Sequence, residues 1–263
     1  MRESNPNMQQ KSHEHIIKTA KLLKKSKFTT AYTGAGISVE SGIPPFRGKG
    51  GLWNKYDPHL LELDYFLENP STSWNVIREI FYDHFGKAKP NKAHTILAEM
   101  EQKGLLARII TQNIDNLHQE AGSKFVFEFH GNSQHLICLS CNADYMAREI
   151  SLDHLPPTCK HCGGLLKPGF VFFGESIPQR PLAAAYESAT ISEVFLIIGT
   201  TGEVMPANQF PFLAKENGAT IIEVNLQESN YTNQITDIFL RGKAVTIMEE
   251  LSGVLFASSL DND

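Results

Sequence analysis

Residues 28–38 read FTTAYTGAGIS, so that a run of apolar and β-branched residues passes directly into two closely spaced glycines. The uncharged run predicts a buried strand over Phe28–Thr33. The glycines of Gly34–Ser38 permit a tight turn, and the N–H groups of that turn, with the N-terminus of a following helix, can hold phosphates. A Gly-x-Gly pair is weak evidence by itself, because many ordinary turns contain it.

The rest of the chain alternates helix and strand patterns. The other predicted strands are Ala107–Thr111, Phe125–His130, Gly169–Phe173, Val194–Gly199 and Thr220–Val224. The predicted helices are Ser12–Lys25, Lys92–Lys103, Asn116–Ala121, Gln179–Ser188, Ala207–Asn217 and Ile247–Leu255. Apolar strands that alternate with helices predict an α/β fold built on a doubly wound parallel sheet. Two segments interrupt it, residues 43–90, with short helices around Tyr65 and in 74–85, and residues 133–168.

The second interrupting segment contains all four cysteines of the chain. Seventeen residues separate Cys138-x2-Cys141 from Cys159-x2-Cys162, a spacing typical of four-thiolate zinc sites. Four protein ligands would leave no position open for water or substrate, so the predicted Zn²⁺ is structural and not catalytic. Four unrelated thiols or a redox pair are the alternatives.

Composition excludes several classes of protein. The 263 residues include 24 Lys and Arg against 29 Asp and Glu, a formal net charge of −5, which disfavours a protein that depends on nucleic-acid phosphates for affinity. No apolar run is long enough to span a membrane. Because the N-terminus carries no apolar signal segment, we expect a cytoplasmic protein with no membrane partner, in which cysteines more often bind metal than form disulfides.

Polar residues follow three predicted strands at one edge of the sheet. Besides the GAGIS turn, Gly199–Gly202 and Asn225 are small or polar groups that suit the close approach of a phosphate or ribose. Ordinary turn chemistry is the alternative for each of them. A hydride-transferring dehydrogenase also needs an acidic residue about 20 residues after the glycine turn. The chain instead enters the irregular segment PPFRGKGGLW (44–53), which disfavours that class.

Ordered motifs over about Ala31–Ala244 resemble those of a known family. They are GAGISVESGIPPFRG (34–48), TQNIDNLH (111–118), HG (130–131), the two cysteine pairs, KPGFVFFGE (167–175) and IGTTGEV (198–204). The chain resembles the sirtuins, the NAD-dependent protein-lysine deacylases. The chain departs from the family pattern at Pro45, where Asp is usual, at Gly169, where Asp or Asn is usual, and at Thr201, where Ser is usual.

The resemblance implies a Rossmann-like NAD-binding domain with a small zinc domain. We expect residues 12–42, 91–132 and 169–263 to form the Rossmann-like domain, 43–90 a helical and loop insertion, 133–168 the zinc-binding module, and 1–11 a polar tail. It also implies a deacetylase that consumes NAD and releases nicotinamide, O-acetyl-ADP-ribose and free lysine. Its partners would be acyl-lysine proteins or peptides, nucleic acid would not be required, and we expect a monomer.

The resemblance also assigns roles to residues. The implied catalytic residues are His130, as general base, and Asn113. The implied cofactor-binding residues are Gly34, Ala35, Gly36, Ser38, Ile43, Phe46, Arg47, Trp53, Gln112, Asn113, Ile114, Asp115, Gly199, Thr200, Thr201, Asn225, Leu226, Gln227 and Ala244. The implied substrate-binding residues are Val171, Phe172, Gly174 and Glu175, which would pair with the substrate backbone as a strand.

Structural alternatives remain for several of these residues. His130 can be a buried histidine that caps its strand, and Asn113 and Asp115 can cap the following helix. Arg47 can be a solvated loop charge, and Phe173 is predicted to be an ordinary core residue.

Two functional alternatives are a mono-ADP-ribosyltransferase and a non-catalytic nucleotide-binding or zinc scaffold. A third is a deacylase of longer acyl chains. Sirtuins that remove succinyl or malonyl groups carry a Tyr three residues after a Trp and an Arg three residues later. Counting from Trp74 places Ile77 and Ile80 at these positions. Both are apolar, so the sequence predicts a preference for neutral acyl groups, acetyl first.

Overall fold

The computed structural model describes residues 6–48 and 50–257. Its helices are α1 (Pro6–Lys25), α2 (Leu63–Glu68), α3 (Pro70–Ile77), α4 (Lys92–Gln102), α5 (Leu117–Glu120), α6 (Gln179–Ile191), α7 (Phe210–Glu216) and α8 (Ala244–Leu255). Its strands are β1 (Thr29–Thr33), β2 (Arg108–Thr111), β3 (Val126–Glu128), β4 (Gly131–Cys138), β5 (Asp144–Met146), β6 (Leu166–Phe170), β7 (Val194–Ile198), β8 (Thr220–Asn225) and β9 (Ile238–Arg241).

A six-stranded sheet in the order β3-β2-β1-β7-β8-β9 forms the large domain. All of its strand pairs are parallel, which confirms the predicted α/β class. Strand β1 lies in the middle of the sheet, and each of its residues is buried. The order of the strands reverses between β1 and β7, and ligands of doubly wound sheets bind outside the carboxyl ends of the strands at such a point.

Both faces of this sheet are covered by helices. Side chains of α1, α4 and α8, such as Ile16, Leu97 and Met248, form one core with Ala31 of β1. Side chains of α6 and α7 form the other core with Tyr32, the next residue of the same strand. Successive residues of a strand point to opposite faces, so this buried strand contributes to both cores.

The insertion and the zinc-binding module, predicted as separate segments, share one core in a small domain. Trp74 and Ile77 pack in the same cluster as Leu136, Leu166 and Phe172. The Trp74 indole N–H also donates a hydrogen bond to the Leu166 carbonyl oxygen at 2.9 Å. The two segments are therefore one structural unit, interrupted in sequence by α4, β2, α5 and β3.

A three-stranded antiparallel sheet, in the order β5-β4-β6, forms the rest of this small domain. The strand predicted at Gly169–Phe173 is wrong in register, because β6 spans Leu166–Phe170 and pairs Cys138 with Leu166. Pro168 is tolerated because β6 lies at an edge of the sheet, where a missing N–H costs little. The predicted module boundaries, 133 and 168, thus fall inside strands of one sheet.

The ends of other elements also differ from the predictions. Helix α1 begins at Pro6, so residues 6–11 of the predicted polar tail are helical, and residues 1–5 lie outside the described part. Helix α6 extends three residues beyond Ser188, α8 begins three residues before Ile247, and β9 was not predicted. Among the described residues, no helix combines the length and apolarity needed to cross a membrane.

Candidate functional site

The loops that follow β1 and β7 touch at the point where the strand order reverses. The Gly34 N–H donates to the Ile198 carbonyl oxygen at 3.0 Å, and the Gly36 N–H donates to the Gly199 carbonyl oxygen at 2.8 Å. A Cβ on Gly36 would lie 2.6 Å from the Gly199 Cα, a distance that no side chain tolerates. The structure therefore brings the loop that carries the predicted residues Gly34, Ala35, Gly36 and Ser38 against the loop that carries residues 199–201.

We expect Gly36→Ala to force these two loops apart and to weaken both stability and NAD binding. Overpacking of this kind costs about 1–3 kcal/mol, so the melting temperature should fall by several degrees. Gly253→Ala is the control, because Gly253 lies in α8 and its Cβ would meet no atom within 4 Å. Differential scanning fluorimetry and NAD titration measure both effects, and equal behaviour of the two variants would contradict the expectation.

Three polar side chains at the floor of the crevice form a hydrogen-bonded cluster. The Asn113 amide donates to the Gly34 carbonyl oxygen and to Ser38 Oγ, both at 3.2 Å. Ser38 Oγ donates to Asp115 Oδ2 at 2.7 Å. Desolvation raises the pKa of Asp115, while the bonds from Ser38 and from the Leu117 N–H oppose the shift. The Asp115 carboxylate accepts the N–H of Leu117, the first residue of α5, at 3.0 Å, whereas the Asn113 side chain bonds to Gly34 and Ser38 instead.

His130 lies in the turn between β3 and β4. Its Nδ1 is 3.0 Å from the Gln112 carbonyl oxygen. Because a carbonyl only accepts, Nδ1 must carry the proton, and the Nε2 lone pair is left as a base. Burial lowers the pKa of His130, with the bond to Gln112 opposing this shift, so the ring is neutral at pH 7. The side-chain amide of Gln112 donates a hydrogen bond to Thr200 Oγ1 at 3.1 Å. Gln112 therefore connects His130, through its backbone, to the crevice, through its side chain.

The residue after His130 must be glycine. Gly131 has a φ of +73°, and a Cβ there would collide with the Gly169 carbonyl oxygen. Gly169 is itself tightly packed, since its Cβ would lie 3.0 Å from the Cβ of His135. The small residue at position 169 thus fits the close approach of β4 and β6.

The candidate substrate segment, Val171–Glu175, leaves β6 beside His130. The Val171 N–H donates to the His130 carbonyl oxygen at 2.8 Å. Phe173 pairs with the insertion through Leu61 and Leu63, at 2.9 and 3.0 Å. The prediction that Phe173 is a core residue is wrong, because its side chain is 40% exposed while that of Phe172 is 2% exposed.

The four cysteine sulfurs lie together at one end of the small domain. All four Sγ atoms are within 4.8 Å of one another. The Cys138–Cys162 and Cys141–Cys159 pairs are 3.5 and 3.7 Å apart. A tetrahedral zinc with Zn–S bonds of about 2.3 Å requires sulfurs about 3.8 Å apart, so this donor set fits Zn²⁺. The Tyr145 hydroxyl, 3.1 Å from Cys159 Sγ, adds a polar neighbour.

Comparison with known proteins identifies the family. A model of the Sir2 family matches residues 34–206. This chain belongs to the Sir2 family. It is 44% identical over 239 residues to the NAD-dependent protein deacylase of Pyrococcus abyssi, with 89% of this chain and 95% of that protein covered. It is 41% identical over 249 residues to the NAD-dependent protein deacetylase 1 of Pyrobaculum aerophilum, with 92% and 97% covered.

Solved Sir2 structures share the fold over nearly the whole chain. A variant Sir2 homologue in complex with ADP-ribose aligns with a TM-score of 0.86 at 41% identity, covering 94% of this chain and 99% of that one. A Sir2 variant with a deacetylated p53 peptide and 3′-O-acetyl ADP-ribose aligns with a TM-score of 0.85 at 34% identity, covering 89% and 96%. The membership predicted from the motifs is confirmed.

In this Sir2-family chain, a loop of the insertion closes the crevice on one side. The Phe46 and Trp53 rings pack 5.4 Å apart, and Trp53 reaches the exposed ring of Phe173. Arg47 is no isolated surface charge, because its Nε lies 3.6 Å from Glu203 Oε2. The carbonyl oxygen of Pro45 accepts the Leu52 N–H at 2.9 Å, so the backbone of this loop closes without a carboxylate at position 45.

The remaining candidate cofactor residues lie at the end of β8, just after it, and at the start of α8. The Asn225 amide donates to the Thr200 carbonyl oxygen at 2.9 Å. Leu226 and Gln227 follow it and are exposed, and Ala244 begins α8. Glu40, from the helical turn after β1, accepts the Val245 N–H at 2.9 Å. This bond joins the glycine turn to the start of α8.

Two buried histidines behind the crevice were not predicted. His94 Nε2 lies 3.4 Å from Ser38 Oγ, and His118 Nε2 lies 2.9 Å from Thr33 Oγ1. Burial lowers the pKa of His94 to about 4 and that of His118 well below its usual value, so both rings are neutral at pH 7. His118 is the last residue of the motif TQNIDNLH, so the motif could have indicated that this histidine lies at the site. Nothing in the sequence pattern of α4 distinguishes His94 in this way.

A cavity of about 230 Å³ lies beside Asp115, on the side of the small domain. Phe81, Tyr82 and Phe85 form one wall, and Ile114 and Asp115 another. Ile114 thus lines a cavity beside Asp115, and its role in the cofactor pocket stays a prediction.

Proposed function

We propose that this Sir2-family chain is an NAD-dependent protein-lysine deacetylase that transfers the acetyl group of a substrate lysine to ADP-ribose. The observation that carries the proposal is the geometry of His130. Its Nδ1 proton is held by the Gln112 carbonyl oxygen, and Gln112 also contacts Thr200 in the crevice. A neutral imidazole with a free Nε2 thus lies between the nucleotide crevice and the candidate substrate segment. The relatives named as deacylases and deacetylases support this activity.

NAD acts here as a second substrate, and the acyl oxygen of the lysine displaces its nicotinamide at C1′ of the ribose. Asn113, Ser38 and Asp115 would hold the nicotinamide ribose and the carboxamide. His130 Nε2 would then accept the proton of a ribose hydroxyl as that oxygen attacks the acyl carbon. The lysine amine then leaves the acyl carbon, and one water molecule supplies the oxygen that the acyl group gave to C1′, so the products are free lysine, nicotinamide and O-acetyl-ADP-ribose.

The surrounding parts have supporting roles in this proposal. The touching glycines of the two loops would let the backbone approach the phosphates, and Phe46 would cover the reacting face. An acyl-lysine protein or peptide would bind along residues 171–175 and would pair with the backbone of Gly174, because the Phe172 and Phe173 backbone groups are already bonded within the protein. The four cysteines would hold a structural Zn²⁺, far from the transferred protons. A cytoplasmic location and a monomeric state remain predictions.

A single incubation with NAD and an acetyl-lysine peptide tests the proposal. Mass spectrometry should find nicotinamide, unacetylated peptide and O-acetyl-ADP-ribose in equal amounts. ADP-ribosylated protein without deacetylated peptide would favour the mono-ADP-ribosyltransferase alternative. An absence of nicotinamide release would favour a non-catalytic role.

Acyl selectivity gives a further prediction. Ile77 and Ile80 are buried at 0% and 2% exposure, in the same core as Phe172. The nearby Arg78 is turned away, since its guanidinium donates to the Leu152 carbonyl oxygen at 2.8 Å. The buried Lys167 is already neutralised by Glu175 at 3.0 Å. Neither Arg78 nor Lys167 is therefore available to pair with a carboxylate on the acyl chain.

We expect kcat/KM for acetyl-lysine to exceed that for succinyl-lysine by roughly 10²-fold or more, since an unpaired buried charge costs several kcal/mol. Propionyl-lysine is the matched control, because it lengthens the chain without adding charge and should be turned over readily. All three acyl groups are compared on one peptide. A clear preference for succinyl-lysine would show the prediction wrong.

A further inference from the structure

Lys167, on β6 just before the candidate substrate segment, is buried at 5% exposure. Its ammonium donates to the Pro168 carbonyl oxygen at 2.9 Å and to the Phe170 carbonyl oxygen at 2.7 Å. It also lies 3.0 Å from Glu175 Oε2 and 4.4 Å from the centre of the Phe172 ring. Because the ammonium group has these four contacts and is buried, the charge of Lys167 is held in one position.

Glu175 closes the other end of the same segment. The Oε2 atom that meets Lys167 also accepts the Phe172 N–H at 2.9 Å. The Glu175 N–H donates to the Phe172 carbonyl oxygen at 3.0 Å. Both backbone groups of Phe172 are therefore bound inside the segment, and the Phe172 ring lies under the ammonium.

The polar partners of this ion pair are local. Every hydrogen-bond partner named above for Lys167 or Glu175 lies between positions 167 and 175. A pair that mainly held the domain together would connect distant elements instead. Its physical effect is therefore to hold one short segment in one conformation.

Within residues 171–175, the backbone groups of Gly174 remain available to bind a peptide. Phe173 pairs outward with Leu61 and Leu63, and Gly174 follows with a φ of +83°. Within residues 6–48 and 50–257, no hydrogen bond engages the Gly174 N–H or carbonyl oxygen. These are the backbone groups with which an extended peptide can pair, and their direction depends on how Phe172 is fixed.

We infer that Lys167 is a positioning residue for the acyl-peptide. Through Glu175 and Phe172 it fixes the backbone with which the substrate pairs, and it does not touch the substrate or NAD. The inference rests on the proposed function, because it presumes that an acyl-peptide binds at residues 171–175. Loss of Lys167 should therefore weaken peptide binding and leave NAD binding intact.

The test compares Lys167→Met, which keeps the length and removes the charge, with Lys167→Arg, which keeps the charge. Lys215→Met is the control, since it removes a more exposed lysine that is paired with Asp237. Steady-state kinetics give KM and kcat, fluorescence anisotropy gives the peptide Kd directly, and titration gives the NAD Kd. We expect the peptide KM and Kd of Lys167→Met to rise about tenfold or more, with kcat at saturating peptide and the NAD Kd within about threefold.

Lys167→Arg should recover most of the affinity, and Lys215→Met should match the wild type. An unchanged peptide Kd in Lys167→Met, or a loss of kcat alone with a lowered melting temperature, would overturn the inference. If Lys167→Met does not fold, Lys167→Gln provides the same comparison, because it removes the charge and keeps an N–H donor for the Pro168 and Phe170 carbonyl oxygens. Wild-type protein that binds the peptide without NAD-dependent turnover would contradict the proposed function alone, since the anisotropy comparison needs no catalysis.

Discussion

His130→Ala is expected to lower the rate of deacetylation by about 10²–10⁴-fold, the usual contribution of a general base. NAD and peptide should still bind, because the hydrogen bonds that join Asn113, Gly34 and Ser38 do not involve the imidazole. Since the proposed base acts after nicotinamide has left, the variant should still release nicotinamide while O-acetyl-ADP-ribose formation stops. Rapid-quench measurement of both products separates the two steps.

His135→Ala is the matched control for this variant. His135 also lies on β4, but it is 43% exposed and pairs with Asp144 at 3.0 Å. Its removal should leave turnover within about twofold, because an exposed ion pair contributes little. Turnover close to wild type in His130→Ala would remove this residue from the mechanism.

The pH dependence of the wild type follows from the same geometry. Burial lowers the pKa of His130 from its ordinary value of about 6.5, so the base form predominates at pH 7. The rate should be constant near neutrality and should fall as pH drops through the lowered pKa, where the imidazole becomes protonated. The midpoint of that fall should lie below pH 6.5, and His130→Ala should lose this limb of the profile.

The contacts that the structure bears out, those between the two glycine loops and among the cysteine sulfurs, are those for which local sequence and strand topology agree. A buried strand followed by GAGIS predicts both the centre of the sheet and the tight turn after it. The contact between Gly36 and Gly199 then follows, because neighbouring parallel strands end at the same edge. The cysteine spacing predicts the sulfur cluster for a similar reason, since each Cys-x2-Cys turn presents two sulfurs in one direction.

Other features depend on long-range pairing and have no local signal. The register of β6 is set by its pairing with β4, and Pro168 made the strand difficult to predict. The exposure of Phe173, which was predicted to be a core residue, follows from this shift, because moving a strand assignment changes which side chains face the core. The burial of Lys167 could not be predicted either, since its partner Glu175 is eight residues away and lysine is ordinarily exposed.

Removal of the proposed zinc should have the largest effect on stability. We expect Cys141→Ala to lose the metal and to unfold the small domain, because binding of a structural zinc contributes about 10–16 kcal/mol in small zinc domains. The cysteines are connected to strands β4 and β6 of the small domain. Cys138 is the last residue of β4, and the Cys159 N–H donates to the carbonyl oxygen of Gly164, two residues before β6. His161→Ala is the control, as it changes a neighbouring side chain that is not one of the four sulfur ligands.

The large domain should survive this loss, because its two cores contain no residue of the zinc-binding module. Calorimetry should therefore show the small domain melting early in Cys141→Ala, with the parallel sheet retained to a higher temperature. Activity should disappear with the small domain, since β4 begins directly after His130 and the Val171 N–H binds the His130 carbonyl oxygen. Elemental analysis should find one zinc per wild-type chain, and a metal-free wild-type protein of full stability and activity would contradict a structural role for the four cysteines.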